Sequence, residues 1–168
     1  IFGYICWKPF DGKIGQRLVE LGDRVDYLAP MLYPSGFDLG IPGYTNPVQY
    51  PYEVIANSLQ MAQRQSGLAP QRFRPWLQAF RDYAFDRRRF LGEDVQAQIN
   101  ASDAVGSHGW MLWNAASRYS LDGLSLVIPD SAKKLADVEP RAAETALLTQ
   151  LDREKEPLPF AVIRDKYF

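Results

Sequence analysis

The sequence predicts an α/β fold: a partial (β/α)8 barrel of about four C-terminal βα units, followed by a helical tail. Three observations carry this prediction. Four short apolar runs recur, Ile1 to Trp7, Asp26 to Tyr33, Arg74 to Phe80 and His108 to Asn114. None alternates strictly between apolar and polar residues, so they read as strands covered on both faces, the pattern of a parallel sheet. Each leads through a turn-rich loop into a stretch with helical periodicity, and a parallel crossover of that kind needs roughly 30 residues.

The elements follow in order. The chain opens directly in a β-rich apolar run, without methionine or a charged flank, which suggests a segment of a longer protein. Ile14, Leu18 and Leu21 then recur at helical spacing, and Gly22 supplies a stop. After the second strand comes a long loop, Pro34 to Pro51, holding four prolines and three glycines. Loops of this length are usually functional in a compact domain. Pro51 suits the first turn of a helix whose face is Ile55, Leu59 and Ala62 and whose end is Gly67. After the third strand, Glu93 and Asp94 favour a helix start, Val95 and Ile99 lie four apart, and Gly106 closes the run. Beyond Tyr119 the character changes. Pro140 opens a stretch in which Ala143, Leu147 and Leu151 are spaced by four and Lys155 suits the C-terminal dipole. Residues 1–120 are therefore assigned to the barrel portion and 121–168 to a helical extension.

Sequential βα units fit either a doubly wound nucleotide-binding sheet or a barrel. Neither G-x-G-x-x-G nor the phosphate-loop pattern occurs, which favours the barrel and leaves no cofactor expected. A closed barrel takes about 250 residues, so 168 residues amount to about half of one plus the tail. The remaining N-terminal half of the barrel is then an expected partner.

Composition removes other classes. A net charge of −1 lacks the basic balance that nucleic acids select. One cysteine and one histidine exclude a disulfide framework and leave a zinc site, or any metal site, without support. No run of about 18 apolar residues exists to span a membrane. What stands out is an excess of rings, 13% Phe, Trp and Tyr, and of arginine over lysine. Both suit polar, ring-shaped ligands as well as ordinary packing.

In a parallel barrel the reacting groups sit at the C-terminal ends of the strands. That rule selects Trp7 and Asp11, then Tyr33, Ser35 and Asp38, then Gln78, Arg81 and Asp82, then Trp113, Asn114 and Arg118. Gln78 and Asn114 end apolar strands, where an amide must find a partner: a ligand at the barrel mouth, or a loop that it ties down. Trp7, Trp76, Trp110 and Trp113 are core residues or, near strand ends, a stacking platform for pyranose rings. Tyr33, Tyr44 and Tyr50 add to the platform. Hydrolysis of a glycosidic bond usually takes two carboxyl groups. Asp11, Asp38 and Asp82 are placed for that role, with turn capping as the plain alternative; Asp38 and Asp82 are the candidates carried forward. His108 falls at the opposite face, and Cys6 reads as a small buried hydrophobe. Ser35 lacks the G-x-S-x-G elbow of a serine hydrolase. The run Arg87-Arg88-Arg89 reads most simply as a solvated loop, with acidic saccharides as the alternative partner.

Six strings extend the reading: Phe2-Gly3-Tyr4, Ile14-Gly15-Gln16, Asp26 through Ser35, Pro51-Tyr52-Glu53-Val54, Arg74 through Phe80, and Gly109 through Ala115. In this order, over residues 1 to about 120, the sequence resembles the bacterial glycoside-hydrolase-like family formerly catalogued as a domain of unknown function. The resemblance implies a TIM-type barrel of which this chain is the C-terminal half, strands five to eight. In related barrels a catalytic carboxylate commonly projects from the end of strand four, which would lie upstream of Ile1. The expected activity is carboxylate acid/base hydrolysis of a polysaccharide or cell-envelope glycan. Asp38 and Asp82 are the catalytic candidates, and Trp7, Tyr33, Ser35, Gln78, Trp113, Asn114 and Arg118 are the expected carbohydrate contacts. The resemblance favours an extracytoplasmic address. The competing expectation is a noncatalytic carbohydrate-binding or scaffold barrel.

Overall fold

The computed structural model describes residues 1–8, 11 and 13–120; the expected helix over Pro140 to Lys155, and the whole 121–168 extension, lie outside the described residues. The architecture is mixed α/β. A small parallel sheet comprises β1 (Met31–Leu32), β2 (Trp76–Gln78) and β3 (Met111–Trp113), in the order β1-β2-β3. Three helices accompany it: α1 (Leu18–Gly22), α2 (Pro51–Ser66) and α3 (Gly92–Val105).

Register sorts the side chains into two faces, because successive residues of a strand point to opposite sides. Leu32 pairs with Leu77, and Leu77 with Leu112. This row of three is fully buried in one core with Val54, Ile55 and Leu59 of α2 and Val95 and Ile99 of α3. The next row on the other face, Met31, Trp76 and Met111, is also in register and only half-buried. The expectation of strands covered equally on both faces therefore holds fully for the helical side alone.

Helices α2 and α3 form for the reasons their sequences suggest. Pro51 occupies the first turn of α2, where its missing N–H costs nothing. Val54, Ile55, Ser58, Leu59 and Ala62 make its buried stripe. Gly67 ends it at φ 69°, with its N–H on the Gln63 carbonyl at 2.8 Å. In α3 the Asp94 carboxylate accepts the Leu91 N–H at 3.1 Å, satisfying one of the orphan donors of the first turn, and Gly106 at φ 82° stops the helix.

Two expectations are corrected. Of the run Ile1 to Trp7 only Phe2 pairs, in a single parallel bridge to Met31, while Gly3–Trp7 winds into a 3-10 helix. A Cβ on Gly3 would lie 2.2 Å from the Met31 carbonyl oxygen, so the chain can pass this close to β1 only as glycine. The tight winding buries Ile5 and Cys6. The helix anticipated from Ile14 begins only at Leu18, and Ile14 is exposed. Lys13 and Gly15 adopt φ 66° and 72°, incompatible with a right-handed helix, and the Asp11 carboxylate accepts both of their N–H groups. The long second loop also has its own order: 3-10 turns at Pro34–Gly36 and Pro47–Gln49, and an antiparallel bridge between Ile41 and Tyr44.

The strand-to-helix packing predicts a clear contrast in stability. Leu77→Ala, at the centre of the buried row, should lower the unfolding free energy measured in urea by about 2–5 kcal/mol. Leu39→Ala, at a position 95% exposed, should change it by less than about 0.5 kcal/mol.

Candidate functional site

The C-terminal ends of β1 and β2 are joined by a buried chain of polar groups. The Gln98 side chain on α3 accepts the Gln78 backbone N–H at 2.9 Å and donates to the Gln78 carbonyl at 3.0 Å. The Gln78 side chain in turn accepts the Ser35 N–H at 3.0 Å and donates to the Ser35 hydroxyl at 2.7 Å and to the Phe80 carbonyl at 3.2 Å. The Ser35 hydroxyl donates in turn to Asp82 Oδ1 at 2.7 Å. The Asp82 carboxylate also accepts the backbone N–H groups of Ala84, Phe85, Asp86 and Arg87 at 2.8–3.1 Å. Burial alone would raise the Asp82 carboxyl. The Ser35 hydroxyl and the N–H groups of Arg87, Phe85 and Ala84 outweigh it and hold the group well below the ordinary carboxylate range.

Ser35 and Gln78 were expected to touch a carbohydrate, and the structure places them differently: both are fully buried, with their polar atoms spent on each other. They form an internal brace. Asn114 behaves similarly. Its amide donates to the carbonyls of Ala79 at 2.7 Å and Arg118 at 2.8 Å, and its oxygen accepts the Ala116 N–H at 2.9 Å, tying the loop after β3 to the end of β2. Asp82 is 2% exposed, and each of its carboxylate oxygens is engaged, a geometry that favours holding a loop over exchanging protons.

Above this brace lie two adjoining hollows. One, of about 380 Å³, is lined by Tyr4, Trp7, Phe37, Leu39 and Ile41, with Lys8 and the exposed Asp38 at its edge. The other, about 330 Å³, shares Tyr4, Gly36 and Phe37 with the first and adds Phe2, Met31, Tyr33 and Tyr83. Trp7 is fixed in its wall by a 2.9 Å hydrogen bond from its indole N–H to Ser58 of α2. Tyr33 meets Phe80 edge-on at 5.3 Å, and Phe80 stacks on Tyr83 at 6.1 Å and 9°. Burial first, then Tyr119 and Tyr83, push the Tyr33 phenol above its usual value. Burial, then the charges of Asp38 and Asp82, do the same for Tyr83. Both phenols therefore stay neutral hydrogen-bonding groups near neutral pH. Trp113 lies deeper, half-buried and edge-on to Trp76 at 6.0 Å.

A third cleft, about 590 Å³, lies between the loops after β2 and β3 and is lined by Phe80, Arg81, Arg89, Phe90, Arg118 and Tyr119 among others. Sequence reasoning named Arg81 and Arg118 but overlooked Tyr4, Phe37 and Tyr83. The available signal was simple: Tyr83 directly follows the charged pair Arg81-Asp82 at a strand end.

Another hollow, about 780 Å³, opens at the other end of the sheet. Arg72, in its wall, braces two loops by donating to the carbonyls of Asp26 and Gly22, each at 2.7 Å. Nearby, Arg74 reaches the His108 carbonyl at 2.9 Å and its Nδ1 at 2.7 Å, and lies over the Tyr27 ring. His108 thus falls away from the strand C-termini, as expected. Cys6 is fully buried, and that burial pushes its thiol up to about 12, leaving it inert as a nucleophile. Among the described residues no group of three or more His, Cys, Asp or Glu side chains could hold a metal, and no helix is long and apolar enough to cross a membrane.

The chain belongs to the family described as "Putative glycosyl hydrolase domain", whose model matches residues 1–119. No curated protein and no solved structure matches it.

The bonding of Asp82 yields a prediction with a definite sign. A carboxyl whose folded value lies below its unfolded one, near 3.9, stabilises the fold fully above that unfolded value and loses the contribution as pH falls towards the folded one. Asp82→Asn should destabilise at pH 7 by about 1–3 kcal/mol, since an amide cannot serve three N–H donors at the Oδ2 position. Urea midpoints should show the gap between wild type and variant shrinking steadily from about pH 5 down to pH 2. A gap independent of pH would contradict this account of the brace.

Proposed function

We propose that the chain is the C-terminal half of a (β/α)8 glycoside hydrolase acting on a polysaccharide or cell-envelope glycan outside the cytoplasm. The observation that carries this reading is the pair of contiguous aromatic hollows at the C-terminal ends of the parallel segments, with Asp38 exposed at their rim. The barrel is supported by order: the Phe2 bridge, β1, β2 and β3 neighbour one another in chain sequence, all parallel. That is how successive barrel strands run.

On this reading Tyr4, Trp7, Phe37 and Tyr83 offer ring faces to the C–H faces of sugar rings, while the Tyr33 and Tyr83 hydroxyls reach sugar hydroxyls. Asp38 supplies one of the two carboxyl groups that glycosidic cleavage requires, one to protonate the leaving oxygen and one to attack or to activate water. The other comes from the N-terminal half of the barrel. Asp82 is a positioning residue, with Ser35 and Gln78, and Asn114 sets the loop that carries Arg118. No cofactor enters the reaction.

The test is release of reducing ends from a panel of bacterial and plant glycans by the full-length protein. Asp38→Asn should lower kcat/KM by about 10²–10⁴-fold with the urea midpoint unchanged. Trp7→Phe, which keeps a ring but drops the donor to Ser58, should chiefly raise KM. Glycan binding by calorimetry without any release would instead favour the noncatalytic carbohydrate-binding barrel.

A further inference from the structure

The cleft between the loops after β2 and β3 has a composition that the neutral-sugar hollows lack. Three arginines line it, Arg81, Arg89 and Arg118, and among the described residues no Asp or Glu does. In a chain whose net charge is −1, that is a strong local excess of one sign.

The three charges are also unspent. Among the described residues neither the Arg89 nor the Arg118 side chain makes a hydrogen bond or an ion pair. Arg81 uses only its Nε, on the Arg87 carbonyl, which orients the guanidinium and leaves both terminal nitrogens to donate. Two neighbouring charges are engaged elsewhere. Arg88 pairs with Asp94, and the Asp82 carboxylate is bonded to the N–H groups of its own loop. Unpaired guanidinium forks are suited to oxyanions, which they hold through paired charge-assisted hydrogen bonds.

The cleft is joined to the hollows by a shared wall. Phe80 lines it and stacks on Tyr83 of the second hollow, and Tyr119, whose hydroxyl accepts the Asn114 N–H, closes its far side. A ligand lying along the strand ends would pass from aromatic walls to the arginines without leaving the surface.

Resting on the glycosidase reading above, we propose that this cleft is a subsite for an anionic sugar unit. The substrate is then an acidic glycan, carrying carboxylate or sulfate groups, and not a neutral one. The aromatic rings and guanidinium groups would divide each such unit between them, rings to the C–H face and Arg81, Arg89 and Arg118 to the charge.

Calorimetry on the full-length protein would use three probes of equal length: uronic-acid oligosaccharides, their carboxyl-reduced neutral counterparts, and sulfated oligosaccharides. A single-stranded oligonucleotide serves as a fourth. At least one anionic set should bind about tenfold or more tightly than the neutral set, the scale of charge-assisted hydrogen bonds, and the advantage should shrink with added salt. Whichever anionic set wins tells carboxylate from sulfate. In Arg89→Gln/Arg118→Gln, chosen because neither side chain braces the fold, the anionic-to-neutral ratio should fall to within about twofold of one. Neutral glycans bound or cleaved as well as acidic ones would overturn this proposal and leave the glycosidase reading standing. So would a double variant that keeps the preference. Tighter binding of the oligonucleotide than of any saccharide would overturn it as well, and failure of every saccharide to bind would remove both readings together.

Discussion

The geometry of the strand ends depends on one buried relay of hydrogen bonds, Gln98 to Gln78 to Ser35 to Asp82. Each member is shut away from water, where an unpaired polar atom would be costly, so the relay is stable only when complete. It spans pieces of chain far apart in sequence: α3, the end of β2, the turn after β1 and the loop that begins at Asp82. Fixing these four together fixes the ring positions of Tyr33, Phe80 and Tyr83. The aromatic walls therefore inherit their rigidity from polar groups that no ligand reaches.

A second constraint is the pleat. Because neighbours along a strand alternate sides, the residues that complete the helical core and those that face the other way cannot be chosen independently. Leu32, Leu77 and Leu112 commit Met31, Trp76 and Met111 to the opposite side. Gln78 falls on that side too, one step beyond Leu77, where it meets the turn after β1.

Much of the scaffold was legible in the residues. Pro51, Gly67 and Gly106 act where their backbone chemistry predicts, and the helices they bound carry the expected apolar stripes. The strand regions were found, although each regular strand is only two or three residues long. Failures arose where a local choice was settled by a distant neighbour. Gly3 in an apolar run reads as strand, and its passage against the Met31 carbonyl decides otherwise. For Gln78 the need for a partner was foreseen, yet nothing in sequence says whether a ligand or Ser35 provides it. Side chains 43 positions apart meet only through the sheet. Asp11 shows the reverse case, a carboxylate whose plain turn-capping role is the one it fills.

The run Arg87-Arg88-Arg89 separates three identical side chains within three residues. Arg87 adopts φ 64°, a left-handed conformation unfavourable for a residue with a Cβ, offset by its N–H on Asp82 and its carbonyl on Arg81. That single reversal of chain sense works as a sorter: Arg88 is directed to Asp94 and over Phe90, and Arg89 to the cleft. Identity at these positions is thus less informative than spacing. Lengthening or shortening the segment between Asp82 and Arg87 by one residue would hand each arginine its neighbour's task while leaving the composition of the loop almost untouched.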